Sequence, residues 1–148
     1  MRLLFYILST FLLISCNNET KTFEKAISMA FPEINNSCID YVVIVPNQGC
    51  GGCITLAEEF YADFSACDNI RFIFTNILSK KMLNIKLEVN KSNTYLDSNN
   101  DILKILPSEA KIYPCIISLN EGEVVKITYQ SPKEDGFSII DYNKLSHE

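Results

Sequence analysis

At 148 residues, 47% of them hydrophobic, the chain is the size of one ordinary domain with enough apolar material for a core. Its formal charge is −5, from 13 basic and 18 acidic residues with no Arg-rich run, which argues against nucleic acid as a partner. No internal repeat or low-complexity tract divides it.

The chain opens on a cationic Met1-Arg2, and Leu3 to Ile14 is apolar except at Tyr6, Ser9 and Thr10. That stretch is short for a membrane span and has the length of a secretory h-region. It ends in Leu13-Ile14-Ser15-Cys16, which resembles the lipobox of bacterial lipoproteins. The resemblance implies cleavage that leaves Cys16 as a lipidated first residue; a plain signal peptide or an uncleaved anchor is the alternative. Residues 1–15 then read as signal peptide, 16–22 as lipidated cysteine and polar tether, and 23–148 as a single domain. A lipid anchor places the protein in the cell envelope, facing the periplasm. Asn17 is not the aspartate that signals inner-membrane retention in some bacteria, which favours the outer membrane.

Phe23, Ile27, Ala30 and Phe31 have helical spacing, and Pro32 stops the helix. Asn35-Asn36-Ser37 is a turn. Tyr41 to Val45 is β-branched and aromatic without polar alternation, as expected of a strand covered on both faces. Gly49, Gly51 and Gly52 free the backbone to turn. From Ile54 to Ala66, Leu56, Ala57, Phe60, Tyr61 and Phe64 mark an apolar helix face, and Glu58, Glu59 and Asp63 a solvated one. Arg71 to Leu78 is a second buried strand, Ser79 to about Asn90 a helix, and Thr94-Tyr95-Leu96 a short strand. Asp97-Ser98-Asn99-Asn100 is turn chemistry that caps a brief helix over Asp101–Leu106. A strand over Lys111–Leu119, a turn at Asn120-Glu121-Gly122-Glu123 and a strand over Val124–Tyr129 form a hairpin. Phe137 to Ile140 reads as a last edge element. Alternating strands and helices that end in a hairpin give an α/β three-layer sandwich with a mixed central sheet.

The chemistry sits at the first strand–helix junction, Cys50-Gly51-Gly52-Cys53. Disulfide exchange needs a thiolate. A helix N-terminus favours one through its free N–H groups and partial positive charge. In this geometry Cys50 is exposed and attacks, and Cys53 resolves the mixed disulfide from the helix interior. Zinc sites use the same Cys-x-x-Cys spacing, but its place between a buried strand and an amphipathic helix points to redox use.

These pieces resemble the thioredoxin-like superfamily, and within it the membrane-anchored bacterial thiol–disulfide oxidoreductases with an extra strand–helix insertion before the final hairpin. The likeness runs from about Asp40 to Tyr129. It rests on the strand into Cys50-Gly51-Gly52-Cys53, on Tyr95-Leu96-Asp97-Ser98-Asn99 before a short helix, and on Tyr113-Pro114 before the hairpin. It implies a thioredoxin-like α/β/α sandwich, protein thiol and disulfide clients, a membrane electron donor or acceptor, and no cofactor. It also implies a cis Pro114 facing the cysteine pair, with Tyr113 and Pro114 docking the client backbone; a trans proline that begins an edge strand is the alternative. Three positions depart from the pattern. No Trp precedes Cys50, Ile44 stands six residues before Cys50 where a buried acid is usual, and Cys115 follows Pro114 where a threonine is usual.

With Cys16 assigned to lipid, five cysteines remain, an odd count for an oxidising compartment. Cys38 and Cys67 fall at one end of the sheet, as a structural disulfide or as two separate small residues. Cys115 is a candidate third redox thiol or redox modulator, a metal ligand together with Cys50 and Cys53, or a buried apolar residue. The only histidine, His147, is penultimate and a poor ligand or base, which weakens the metal reading. The residues therefore support a lipid-anchored periplasmic thiol–disulfide oxidoreductase. A non-catalytic binding module of the same fold and a thiolate metal-binding protein are the rivals.

Overall fold

The computed structural model describes residues 18–34, 38–89 and 92–145. The segment 1–15, Cys16, the 35–37 turn and His147 lie outside them. A helix, α1, covers residues 18–30 and ends before Pro32, so the polar residues 18–22 read as a tether already belong to it. Thr22 Oγ1 donates to the Asn18 carbonyl within this first stretch. Five strands follow, interleaved with helices: β1 (Tyr41–Pro46), α2 (Gly51–Phe64), β2 (Ile70–Thr75), α3 (Lys80–Leu87), β3 (Thr94–Leu96), α4 (Asp101–Ile105), β4 (Cys115–Asn120) and β5 (Glu123–Tyr129). Among the described residues no helix is long and apolar enough to cross a membrane.

The strands form one mixed sheet in the order β3-β2-β1-β4-β5. β1, β2 and β3 run parallel, while β4 is antiparallel to β1 and β5 to β4. All six residues of β1 are buried, as its uniformly apolar sequence requires of a central strand. The registers place Pro46 beside Thr75, Ile44 beside Cys115, and Cys115 beside Tyr129. The carboxyl ends of β1, β2 and β3 and the start of β4 therefore share one pole of the sheet.

Alternation along the strands divides the core into two halves. Val43, Val45, Phe72, Phe74 and Ile116 face α2, which contributes Ile54, Ala57, Phe60 and Tyr61, and α3, which contributes Leu83. Val42, Ile44, Ile73, Cys115 and Ile117 face Phe23, Ala26 and Ile27 of α1 and Ile102 of α4. This is an α/β sandwich with helices on both faces of a mixed sheet, compatible with a thioredoxin-like arrangement. Tyr61 shows how tightly α2 is seated. Its ring stands edge-on to Phe72 and Phe74 at 4.8 and 5.2 Å, and its hydroxyl is 3.1 Å from Thr94 Oγ1 on β3.

The turn before α4 carries the cap expected of it. Asp97 is 1% exposed, and its carboxylate accepts from Asp101 N at 2.9 Å and Leu103 N at 2.8 Å. The β4–β5 hairpin turns at Glu121 and Gly122, whose φ angles of 52° and 83° match the twist of a two-residue hairpin turn. The segment read as a last edge strand is instead a 3-10 turn, Gly136–Ile139. Side chains from β5 and just beyond it capture its backbone: Gly136 N donates to Gln130 Oε1, and Thr128 Oγ1 donates to Gly136 O. Phe137 thereby drops onto Phe60, with ring centroids 4.7 Å apart, and closes the α2 half of the core.

Candidate redox site

The sequence places α2 to begin at Ile54; it begins three residues earlier, at Gly51. Cys50 is thus the N-cap and Cys53 the third residue of the first turn. Their Cα atoms are 5.3 Å apart and their sulfurs are joined in a disulfide. Cys50 is half-buried and Cys53 is 5% exposed, so the two sulfurs differ in access as expected of an attacking and a resolving thiol. No acidic side chain lies in the first turn to compete with a thiolate for the positive end of the helix dipole. The first-turn N–H groups have no partner within the helix and lie at the end of α2 that Cys50 caps, the end that favours an anion.

The loop bearing Cys50 is fastened on both sides. Gln48 Nε2 donates to the side-chain and backbone oxygens of Asn76, at 2.9 and 3.3 Å, in the loop that follows β2. Leu78 N donates to Asn47 Oδ1 at 3.4 Å. On the other side Cys50 N donates to the Ile112 carbonyl at 3.0 Å, just before β4. Gly49 makes this approach feasible. Its φ is +146°, and a Cβ there would run into the Ile112 backbone. Gly51 and Gly52 have no such role, because a Cβ at either would meet nothing within 4 Å.

Tyr113 and Pro114 directly follow Ile112 and so adjoin this loop. Tyr113 is half-buried and Pro114 buried. The Tyr113–Pro114 bond is trans; no peptide bond among the described residues is cis. The cis proline implied by the resemblance is thus corrected. Tyr113 N bonds Glu109 O and the Pro114 carbonyl accepts from Gln130 N, so the chain passes from the 3-10 turn Glu109–Lys111 directly into the β4–β5 ladder.

Cys115 is completely buried, and its side chain lies in the α1/α4 half of the core with Ile44 and Ile117, across the sheet from the apolar face of α2. Burial pushes its thiol well above the usual range, and Glu19 and Glu134 push in the same direction. Among the described residues, no group of three or more His, Cys, Asp or Glu side chains is placed to hold a metal ion. The three-thiolate site of Cys50, Cys53 and Cys115 is therefore not assembled, because strand alternation turns Cys115 away. Cys38 is exposed and Cys67 buried, each a thiol and not joined in the structural disulfide considered for them. Burial, with Asp68 second, raises the Cys67 thiol.

Ile44, in the place of the usual buried acid, is fully buried among apolar side chains. The carboxylate that burial does enclose is Glu58, expected on a solvated face but only 5% exposed. Lys86 on α3 pairs with it, and this contact between α2 and α3 removes Glu58 from water. A helical projection of α2 alone cannot show that α3 covers this flank.

No family model, curated protein or solved structure matches the chain. The fold class and the cysteine pair at the pole therefore rest on the sequence and geometry just described.

Proposed function

We propose that the protein is a lipid-anchored, periplasm-facing thiol–disulfide oxidoreductase that uses Cys50 as nucleophile and Cys53 as resolving thiol. The observation that carries the reading is the disulfide across the first turn of α2, with the outer sulfur accessible and the inner one enclosed. In the reduced protein, the Cys50 thiolate attacks one sulfur of a client disulfide and releases the other client sulfur as a thiolate. Cys53, once deprotonated, attacks Cys50 Sγ of the mixed disulfide and expels the second client thiolate. Two electrons pass to the client, which takes up two protons, and Cys50 and Cys53 are left joined. The same steps in reverse oxidise a client dithiol. Tyr113 and Pro114, next to the Cys50–Ile112 contact, border the surface that a client meets, with the half-buried Tyr113 side chain as its contact. Cys16 supplies the anchor, and a membrane electron donor or acceptor resets the pair.

The test is a redox titration of the protein with mass-mapped thiol labelling at each potential. Cys50 and Cys53 are expected to titrate together as a two-electron couple within the span of known exchange proteins, about −120 to −270 mV. A pair that stays closed under every physiological reductant would overturn catalysis and leave a binding module of the same fold.

A further inference from the structure

The redox pole carries apolar surface that the oxidoreductase reading leaves unused. Leu78 is 75% exposed, Met82 64%, Ile85 67% and Ile112 45%. Leu78 is tied through its N–H to Asn47, three residues before Cys50, and the Ile112 carbonyl holds Cys50 itself. The backbones of Leu78 and Ile112 therefore adjoin the disulfide turn from opposite sides. Met82 and Ile85, three residues apart on α3, are exposed on a helix whose single buried residue is Leu83. Lysines border these two: Lys81 lies one turn from Ile85, Lys86 one turn from Met82, and Lys80 precedes them, all exposed in a chain of net negative charge. Lys86 also pairs with Glu58.

The start of α1 comes to the same pole. Glu19 accepts a hydrogen bond from the Tyr129 hydroxyl at 2.8 Å, and Tyr129 is the cross-strand neighbour of Cys115 at the start of β4. Helix begins by residue 18, so scarcely any chain separates Cys16 from the folded domain. A lipid on Cys16 would hold this pole against the bilayer instead of leaving it on a long tether. Glu19, Glu109 and Glu134 act electrostatically on Cys115 and Tyr129 at the β5 side of the pole, while Lys80 and Lys81 stand by Leu78 and Met82, the side suited to anionic headgroups.

We propose that the redox pole is a membrane-docking surface. Leu78, Met82, Ile85 and Ile112 enter the headgroup–acyl boundary and Lys80 and Lys81 meet anionic headgroups, so that Cys50 works on client disulfides close to the bilayer. This rests on the anchoring part of the reading above. Because the chain has no Trp, a single introduced indole is a clean reporter. The full-length chain, purified from membranes with Met82→Trp or Val125→Trp, is reconstituted into phosphatidylcholine vesicles with and without phosphatidylglycerol. Val125 is 60% exposed near the opposite pole.

The expected result is flotation of both variants with the vesicles. In Met82→Trp the indole emission shifts to the blue and is quenched by bromines on the acyl chains, more strongly with phosphatidylglycerol. In Val125→Trp the emission stays aqueous. A Met82→Trp chain that floats while its indole stays aqueous overturns the docking and spares the anchor. A chain that does not float overturns the anchor and the docking with it. A blue shift in Met82→Trp that needs no lipid and grows with protein concentration assigns the patch to a second copy and also overturns the proposal.

Discussion

Replacing Gly49 with alanine separates the one glycine of this loop that geometry requires from the two that it does not. At φ +146° an alanine sits in a region that L side chains rarely adopt, at a cost of about 1–3 kcal/mol. Its Cβ would also run into the Ile112 carbonyl, so the loop must move and the Cys50 N–H bond to Ile112 is lost, about 1 kcal/mol more. Gly49→Ala should therefore destabilise the protein by about 2–4 kcal/mol, a large part of the roughly 5–15 kcal/mol available to a domain. Gly51→Ala and Gly52→Ala have open space and a helical backbone. Each should instead be neutral or stabilise by up to about 1 kcal/mol, through the entropy lost to glycine in a helix. The assay is urea unfolding of the oxidised protein, read by tyrosine fluorescence and circular dichroism, with midpoints compared at constant slope. Gly49→Ala within about 0.5 kcal/mol of the parent, or Gly51→Ala as damaging as Gly49→Ala, would refute the reasoning, since ordinary exposed substitutions fall inside that margin.

Other expectations follow from the same geometry. Cys53→Ser should accumulate a mixed disulfide between Cys50 and a model client, visible on non-reducing gels, whereas Cys50→Ser should give neither adduct nor exchange; turnover surviving in Cys50→Ser would remove Cys50 from its role. Lys86→Met leaves the enclosed Glu58 carboxylate without its cation. It should cost about 1–2 kcal/mol in urea unfolding, discounted because the lysine side chain is itself 60% exposed. Asp97→Ala removes both acceptors at the start of α4 and should cost about 2–4 kcal/mol, with Asp97→Asn recovering part of it. Alkaline pH should weaken the fold. Cys115 and Tyr129 have folded pKa values raised by burial, so above their ordinary values of 9.0 and 10.0 the unfolded chain releases protons that the native chain retains. Their contribution is fully present below about pH 9 and falls by up to about 1.4 kcal/mol per pH unit for each group once above its unfolded pKa. Cys115→Val should flatten the first part of that decline.

Much of this architecture is legible without coordinates. The unbroken apolar run of β1, the change of period after Cys53, and the Asp97 turn each announce themselves through local patterns; β1 and the turn are found where the pattern puts them, and α2 starts three residues earlier, on the glycines. What escapes the sequence depends on pairing between distant segments. Cys115 is read as a neighbour of the cysteine pair because it follows Pro114, but its register opposite Ile44 decides which face it occupies. Glu58 looks solvated until α3 is packed beside it. Phe137 looks like part of a strand until Gln130 and Thr128 capture the backbone of Gly136 and turn the chain inward. The three glycines look equivalent in sequence. Only the contact with Ile112 distinguishes Gly49 from the others.

The disulfide links residues only three apart, inside a loop already held by Asn76 on one side and Ile112 on the other. So short a ring takes little freedom from the unfolded chain, in contrast to the large effect of a bridge across a long loop. Folding and sulfur chemistry then form a closed thermodynamic cycle with four corners: oxidised and reduced, folded and unfolded. The difference between the unfolding free energies of the two redox forms must equal the amount by which the fold moves the pair from the potential of the unfolded dithiol. On the scale of roughly 30 mV for each 1.4 kcal/mol, two denaturation curves serve as a potentiometer. Whichever form resists urea more strongly is the form the fold favours, and on the proposed oxidoreductase function its opposite is the form poised to act on a client.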